Sequence, residues 1–213
     1  MSRNRDLDES IKAERKLIAM NSAFRLFSEK GIDRVTMPEI AADSGVARQS
    51  LFRYFSNKTE LVIAIGAWKW KEYISANNAK LPKEEIDKMT AAEYLRWYMD
   101  SFLDLYREHR DILRFNYYFN SFVRGERATE EQMKPYTEVV EQLIADFHVL
   151  YEKGMRDGTI NGDIPEEVMI SSSFHIMLAA VTRYSIGLLY RDGNNERELT
   201  LLKNALLQQF IKE

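Results

Sequence analysis

The chain has 213 residues, with 30 Lys and Arg against 33 Asp and Glu and 45% hydrophobic residues, a balance that supports a folded chain with a sizeable core. It contains no cysteine, which excludes disulfides, thiolate metal sites and a cysteine nucleophile. The start "MSRNRDLDESIKAERK" is polar and no apolar run approaches a membrane span, so the expected setting is the cytoplasm, with no membrane partner.

Residues 1–60 carry 11 Lys and Arg against 9 Asp and Glu, whereas the remainder is acidic, with 19 against 24. Only the N-terminal part is therefore balanced to meet a polyanion. Apolar residues recur at helical spacing almost throughout, Gly and Pro are few, and no stretch alternates like a strand. The expected fold class is all-α.

In chain order, the first helix is expected over about residues 8–30, with Leu17, Met20, Phe24 and Phe27 on one face and Gly31 ending it. Short helices follow at about 37–43 and 47–53, and a longer one begins near Lys58 and ends in the polar "SANNAKLPKEE". Further helices are expected at about 91–107, 110–124, 134–156, 165–190 and 196–212, with "EKGMRDGTINGDIP" as a turn-rich connection. The pairs Thr36/Glu39, Asn57/Glu60, Thr90/Glu93, Asp163/Glu166 and Asn195/Glu198 each set a cap oxygen three residues before a carboxylate. The domain boundary is expected at the start of the fourth helix, dividing residues 1–57 from 58–213.

The segment "TMPEIAADSGVARQSLFRYFSNKTEL" places two helix starts around one glycine. Pro38 is tolerated in a first turn, Ala41 and Ala42 allow a close helix crossing, and Gly45 makes the turn. Val46, Leu51 and Phe55 then form an apolar side, leaving Arg48, Gln49, Ser50, Arg53 and Tyr54 for other faces. This is a helix-turn-helix pattern, with Phe24 and Phe27 of the first helix bracing it. Arg suits guanine, Gln suits adenine, and Ser serves bases or phosphates. The same residues also suit an ordinary helical corner with a solvated face.

Residues 23–62, "AFRLFSEKGIDRVTMPEIAADSGVARQSLFRYFSNKTELV", resemble the DNA-binding region of the tetracycline-repressor (TetR) family of bacterial transcription regulators. The likeness rests on the glycine after helix one, the Thr opening helix two, the "IA...GV" turn, "LF.YF" and "NK.EL". It implies an N-terminal helix-turn-helix domain followed by a helical bundle that binds a ligand and dimerises. It further implies that Thr36 and Lys58 meet phosphates, that Arg48, Gln49 and Ser50 face the groove, and that Arg53 and Tyr54 meet the backbone or its nearest bases. Two residues depart from the family's habit: Ala47 removes a Ser or Thr cap, and Gln49 replaces a small residue, so the operator preference is this chain's own.

Beyond residue 62 the residues must be read by themselves. Ten aromatics fall between Tyr94 and Phe122. Such a stripe serves either as core or as the lining for an apolar or aromatic ligand. Trp97, Phe102, Phe115, Tyr118, Phe119 and Phe122, with His175, are the candidate ligand residues. The helix over 165–190 is apolar nearly all round, and Leu199, Leu202, Leu206 and Phe210 form a stripe on the last helix. By family analogy these two helices pair with their copies in a homodimer.

His109, His148 and His175 are scattered and form no zinc or di-iron motif, and no phosphate-binding glycine pattern occurs. No catalytic residue, metal or cofactor is therefore expected. The expected partners are a palindromic double-stranded DNA operator and a small apolar or aromatic effector that releases a repressor from it. The competing readings are a helical protein-binding adaptor and, behind it, a helical enzyme.

Overall fold

The computed structural model describes residues 2–187 and 195–212; residues 188–190 of the helix expected over 165–190 lie outside them, and its described part ends at Ser185. The described residues are helical as expected: α1 Ser2–Lys30, α2 Met37–Ser44, α3 Arg48–Tyr54, α4 Lys58–Ala79, α5 Lys83–Lys88, α6 Ala91–Glu108, α7 Arg110–Gly125, α8 Glu130–Asp157, α9 Glu166–Ser173, α10 Ala179–Ser185 and α11 Asn195–Phe210. A 3-10 turn at Ile32–Arg34 follows α1, and one turn of π-helix, Phe174–Leu178, joins α9 to α10. No helix among the described residues is long and apolar enough to cross a membrane.

The chain divides into two compact units. The first holds the chain up to Lys69 together with Arg114–Tyr136, and the second holds Trp70–Leu113 and the chain from Thr137 onward. The division passes inside α4, α7 and α8, and the first unit recruits a segment from the middle of the sequence.

In the first unit, α1 buries Met20, Phe24 and Phe27, but Leu17, expected on the same face, is 45% exposed. From Asp8 onward, burial along α1 begins at Ala19. Ion pairs tie α1 to α2: Arg25 to Asp43 at 2.5 Å and Lys30 to Glu39 at 2.6 Å. The Ser22 and Arg25 hydrogen bonds hold the Asp43 carboxyl below its ordinary pKa, and Lys30 does the same for Glu39. Thr36 caps α2 by accepting the Glu39 N–H at 3.3 Å. Asn57 caps α4 by accepting the Glu60 N–H at 2.8 Å, while the Glu60 carboxylate accepts from the Ser56 N–H.

Gly45 ends α2 in the left-handed conformation, φ 66°, and a Cβ there would meet nothing within 4 Å. Backbone strain is thus the whole cost of a side chain at that turn. Gly45→Ala is expected to lower the unfolding free energy by about 1 kcal/mol, measured by urea denaturation. A variant as stable as the native chain would contradict the reading of this turn.

The second unit opens α6 with the complete capping box of Thr90 and Glu93. The next free amides, Ala91 N–H and Ala92 N–H, donate to Asp157 at 2.7 Å and Thr159 at 3.1 Å. The turn-rich connection is pinned to the C-terminus, with Asn161 N–H donating to the Phe210 carbonyl at 2.8 Å and Lys212 N–H to that of Thr159 at 3.0 Å. α11 buries Leu199, Leu206, Leu207 and Phe210, leaving Leu201 69% exposed.

Two expected caps are corrected. Pro165, not Asp163, occupies the N-cap of α9, and Asn195 donates its amide to the Tyr106 hydroxyl while its side-chain oxygen has no partner. A cap that the sequence reading passed over joins Thr129 to Gln132 and starts α8 four residues before the expected point. Here a Gln does the work of the Glu, and Pro135 lies inside the helix rather than at its start. The short α5 also went unforeseen inside the polar stretch.

Candidate functional site

α2, the Gly45 turn and α3 form the expected helix-turn-helix, anchored by the buried Ile40, Ala41, Val46, Leu51 and Phe55. With one side of α3 committed to that core, Arg48, Gln49 and Arg53 are exposed, and Ser50 and Tyr54 are half-buried. Ala47 at the N-cap of α3 makes no side-chain hydrogen bond, as its methyl group requires. The Arg48 guanidinium lies 5.7 Å from the Phe52 ring and that of Arg53 lies 5.8 Å from the Tyr54 ring. Such stacking preorders long side chains that would otherwise lose rotamer freedom on binding.

Phe52 enters the sequence analysis only within the "LF.YF" match, without a role of its own. It is 39% exposed beside Arg48, on the same turn of a helix whose other residues suit base edges. An apolar side chain there has the chemistry to meet a thymine methyl.

Thr36 is exposed, and its oxygen accepts the α2 cap bond, so the hydroxyl proton remains to be donated. Lys58 opens α4 with its ammonium 5.2 Å from the Phe122 ring. Partial burial lowers its pKa, opposed by the charges of Asp33 and Glu126. An anion brought to Lys58 would offset that desolvation.

The second unit contains a cavity of about 60 Å³. α4 contributes Trp70, Tyr73 and Asn77, α6 contributes Tyr94, Trp97 and Tyr98, α8 contributes Asp146 and Phe147, and the π-helical turn contributes Phe174. Its rings interlock: Tyr98 meets Phe102 at 5.8 Å and Phe147 at 5.5 Å, and Phe102 meets Phe174 at 5.6 Å. The Tyr73 hydroxyl donates to the Ser101 carbonyl at 2.7 Å. The Tyr98 hydroxyl is buried and has no hydrogen-bond partner among the described residues. Burial raises the pKa of both tyrosines well above the ordinary value.

Of the candidate ligand residues, the structure brings Trp97 and Phe102 to the cavity wall. Phe115, Phe119 and Phe122 are buried in the first unit instead, and Tyr118 lies there against Gly31. This corrects the single aromatic stripe of the sequence reading. α7 is divided between the units after Leu113, so residues close in sequence end in different cores. His175 is exposed and absent from the wall, because its neighbour Phe174 takes the inward position.

The cavity residues missed in the sequence were nonetheless marked in α4. Trp70, Tyr73, Ile74, Asn77 and Asn78 follow the spacing of one helical face, and all of them line the cavity. The π-helical turn that brings in Phe174 has no such signal. Among the described residues no group of His, Asp and Glu is arranged to hold a metal ion.

The sequence profile of bacterial regulatory proteins of the tetR family matches residues 19–65, the stretch from the first buried residue of α1 through the helix-turn-helix into α4. The HTH-type transcriptional regulator YerO of Bacillus subtilis is 25% identical over 100 residues, 47% of this chain and 34% of that protein. The chain spans about a third of the length of the curated relatives it matches. Among solved structures, the transcriptional regulator FadR of Bacillus subtilis in complex with stearoyl-CoA aligns with a TM-score of 0.69 at 16% identity, covering 91% of this chain and 98% of that one. A transcriptional regulator of Saccharomonospora viridis in complex with choline aligns with a TM-score of 0.70 at 15% identity, covering 94% of this chain and all of that one. At such identities the likeness to these structures is one of fold.

Proposed function

We propose, because this chain belongs to the TetR family of bacterial regulatory proteins, that it is a cytoplasmic, homodimeric repressor that reads a palindromic operator through α3 and leaves it when a small organic effector fills the cavity. The observation that carries the reading is the exposure of Arg48 and Gln49 at the start of α3, directly after the Gly45 turn. That is where side chains of a recognition helix reach base edges. Arg48, Gln49 and Ser50 are assigned to the groove, Arg53 and Tyr54 to the backbone and its nearest bases, and Thr36 and Lys58 to phosphates. The functional boundary stays at the start of α4, whose first residue is a phosphate contact.

The effector site is the cavity of the second unit. Holding about 60 Å³, it is far smaller than the roughly 300 Å³ or more of a drug-sized pocket. A ligand with even one ring must move side chains to enter. That movement supplies the differential binding without which a ligand shifts no equilibrium, and by linkage the operator weakens effector binding by the same factor. α4 carries both Lys58 and the cavity residue Trp70, and we assign the coupling to it.

The dimer face is assigned to α9, the π-helical turn and α11 through Val168, Ile176 and Leu201, all exposed in the single chain. Leu206 is buried within its own unit, so a charge there would test folding rather than assembly. Leu201→Glu is the cleaner variant. It is expected to weaken the dimer by about 1–3 kcal/mol while leaving the helical signal unchanged, as read by sedimentation equilibrium. An unaltered dimer would move the interface elsewhere.

The function is tested by selecting genomic DNA fragments with the purified protein. The expected result is enrichment of one inverted repeat whose half-sites are about one helical turn or a multiple of it apart. Recovery of fragments with no common sequence would overturn it.

A further inference from the structure

The neighbours in fold hold ligands as unlike as stearoyl-CoA and choline, so the ligand class of this chain has to be read from its own side chains. Aromatic rings form most of the cavity wall, and Asp146 is the one charged residue among the described residues that line it. No Lys, Arg or His is on that wall. Gln142 donates to the Asp146 carboxylate at 2.9 Å, which orients it without neutralising it. Asp146 forms no ion pair among the described residues.

A second observation stands apart from the charge. The buried Tyr98 hydroxyl on the same wall has no hydrogen-bond partner among the described residues. Leaving such a group unsatisfied costs about 1–3 kcal/mol, part of which a ligand N–H removes by giving the hydroxyl oxygen a partner, the O–H itself remaining to be donated. The Asp146 charge reaches the Tyr98 and Tyr94 hydroxyls and adds to the burial that keeps both protonated. Asp104 and Glu108 act in the same sense on Tyr73. Asp104 and Glu108 are each paired with a cation, Arg107 and Lys80, so Asp146 is the carboxylate left to a ligand, on a wall that also offers ring faces and a hydroxyl oxygen able to accept.

Resting on the reading of this cavity as the effector site, we propose that its ligand is a protonated organic amine with an apolar or aromatic body. The ammonium lies between the Asp146 carboxylate and the Tyr98 hydroxyl, donating N–H to both, and the body stacks among Trp97, Tyr94 and Phe102. A neutral apolar compound would leave Tyr98 unsatisfied, and an anion would be repelled by the Asp146 carboxylate. Ring faces attract cations and add to the selection.

The test uses the full-length protein and three probes that share one ring and tether: 2-phenylethylammonium, 2-phenylethanol and 3-phenylpropanoate. Binding is followed through tryptophan fluorescence, since Trp70 and Trp97 line the cavity, and by calorimetry. The ammonium is expected to bind at least about tenfold more tightly than the alcohol and the carboxylate not to bind measurably. Asp146→Asn is expected to lose that preference, weakening the ammonium about tenfold while leaving the alcohol within about twofold. Tyr98→Phe should weaken the ammonium several-fold.

An alcohol that binds as well as the ammonium, binding of none of the three at millimolar concentration, or a folded Asp146→Asn protein with unchanged ammonium affinity would each overturn the proposal. These measurements use no DNA. A chain that binds its operator yet ignores the ammonium refutes the ligand class alone, and one that binds the ammonium but selects no DNA refutes the regulator reading alone.

Discussion

Phe115→Ala is expected to lower the unfolding free energy by about 3–5 kcal/mol, or the melting temperature by roughly 10 °C for a chain of this size. Phe115 is 1% exposed, and its ring lies 5.6 Å from Phe24, 6.4 Å from Phe27 and 5.8 Å from Phe119. It thereby fastens α7 to the face of α1 that supports the helix-turn-helix. Removing the ring leaves a cavity between helices that cannot collapse onto it without moving α1. Phe119→Ala should behave alike, since a Cβ on Gly66 would lie 2.9 Å from the Phe119 ring, a measure of how closely α4 approaches it. Both variants should lose DNA binding through loss of structure, whereas Trp97→Ala, on a half-buried cavity wall, should cost less stability and blunt the effector response. Calorimetry of the three variants decides the matter. A loss below about 1 kcal/mol for Phe115→Ala would remove it from the core.

Arg48→Ala and Lys58→Ala are expected to damage DNA binding in different ways. Arg48 is exposed at the start of α3 and stacked on Phe52, and we assign it a two-pronged bond to one base. Its loss should cost about 1–3 kcal/mol per half-site and relax the preference at one position, with nonspecific binding little changed. Lys58 is a point charge over Phe122 at the head of α4, with no fork to read a base. Its loss should weaken all sequences alike and reduce the salt dependence by about one charge per subunit. Fluorescence anisotropy with operator, single-substitution operators and unrelated duplex separates the two patterns. Equal, sequence-independent losses would refute the assignment of Arg48 to bases.

The helix-turn-helix was legible because each of its parts has a local cause: the Thr36 cap, the left-handed Gly45, and the buried Val46, Leu51 and Phe55 that leave Arg48 and Gln49 outside. The aromatic region was not, because periodicity says that Phe115 and Trp97 are both on apolar faces but not which core each face enters. That depends on the passage of α7 from one compact unit into the other after Leu113, a choice made by long-range packing. The same limit applied to Leu206 and Leu201 on α11. Both are leucines near one stripe, yet one is buried by its own unit and the other is 69% exposed. The cavity lay between these cases: the α4 stripe through Trp70, Tyr73 and Asn77 was visible, but Asp146 gained its meaning only when α8 set it on an aromatic wall.

The central claim is that this chain distinguishes one DNA sequence from others through α3. Its most direct test is a competition titration of the native protein between the duplex recovered by selection and the same duplex with both half-sites scrambled, repeated at rising salt. The expected result is a preference of about 1,000-fold or more for the intact site, with nonspecific binding falling more steeply with salt than the preference does. Equal affinity for the two duplexes at every salt concentration would contradict it.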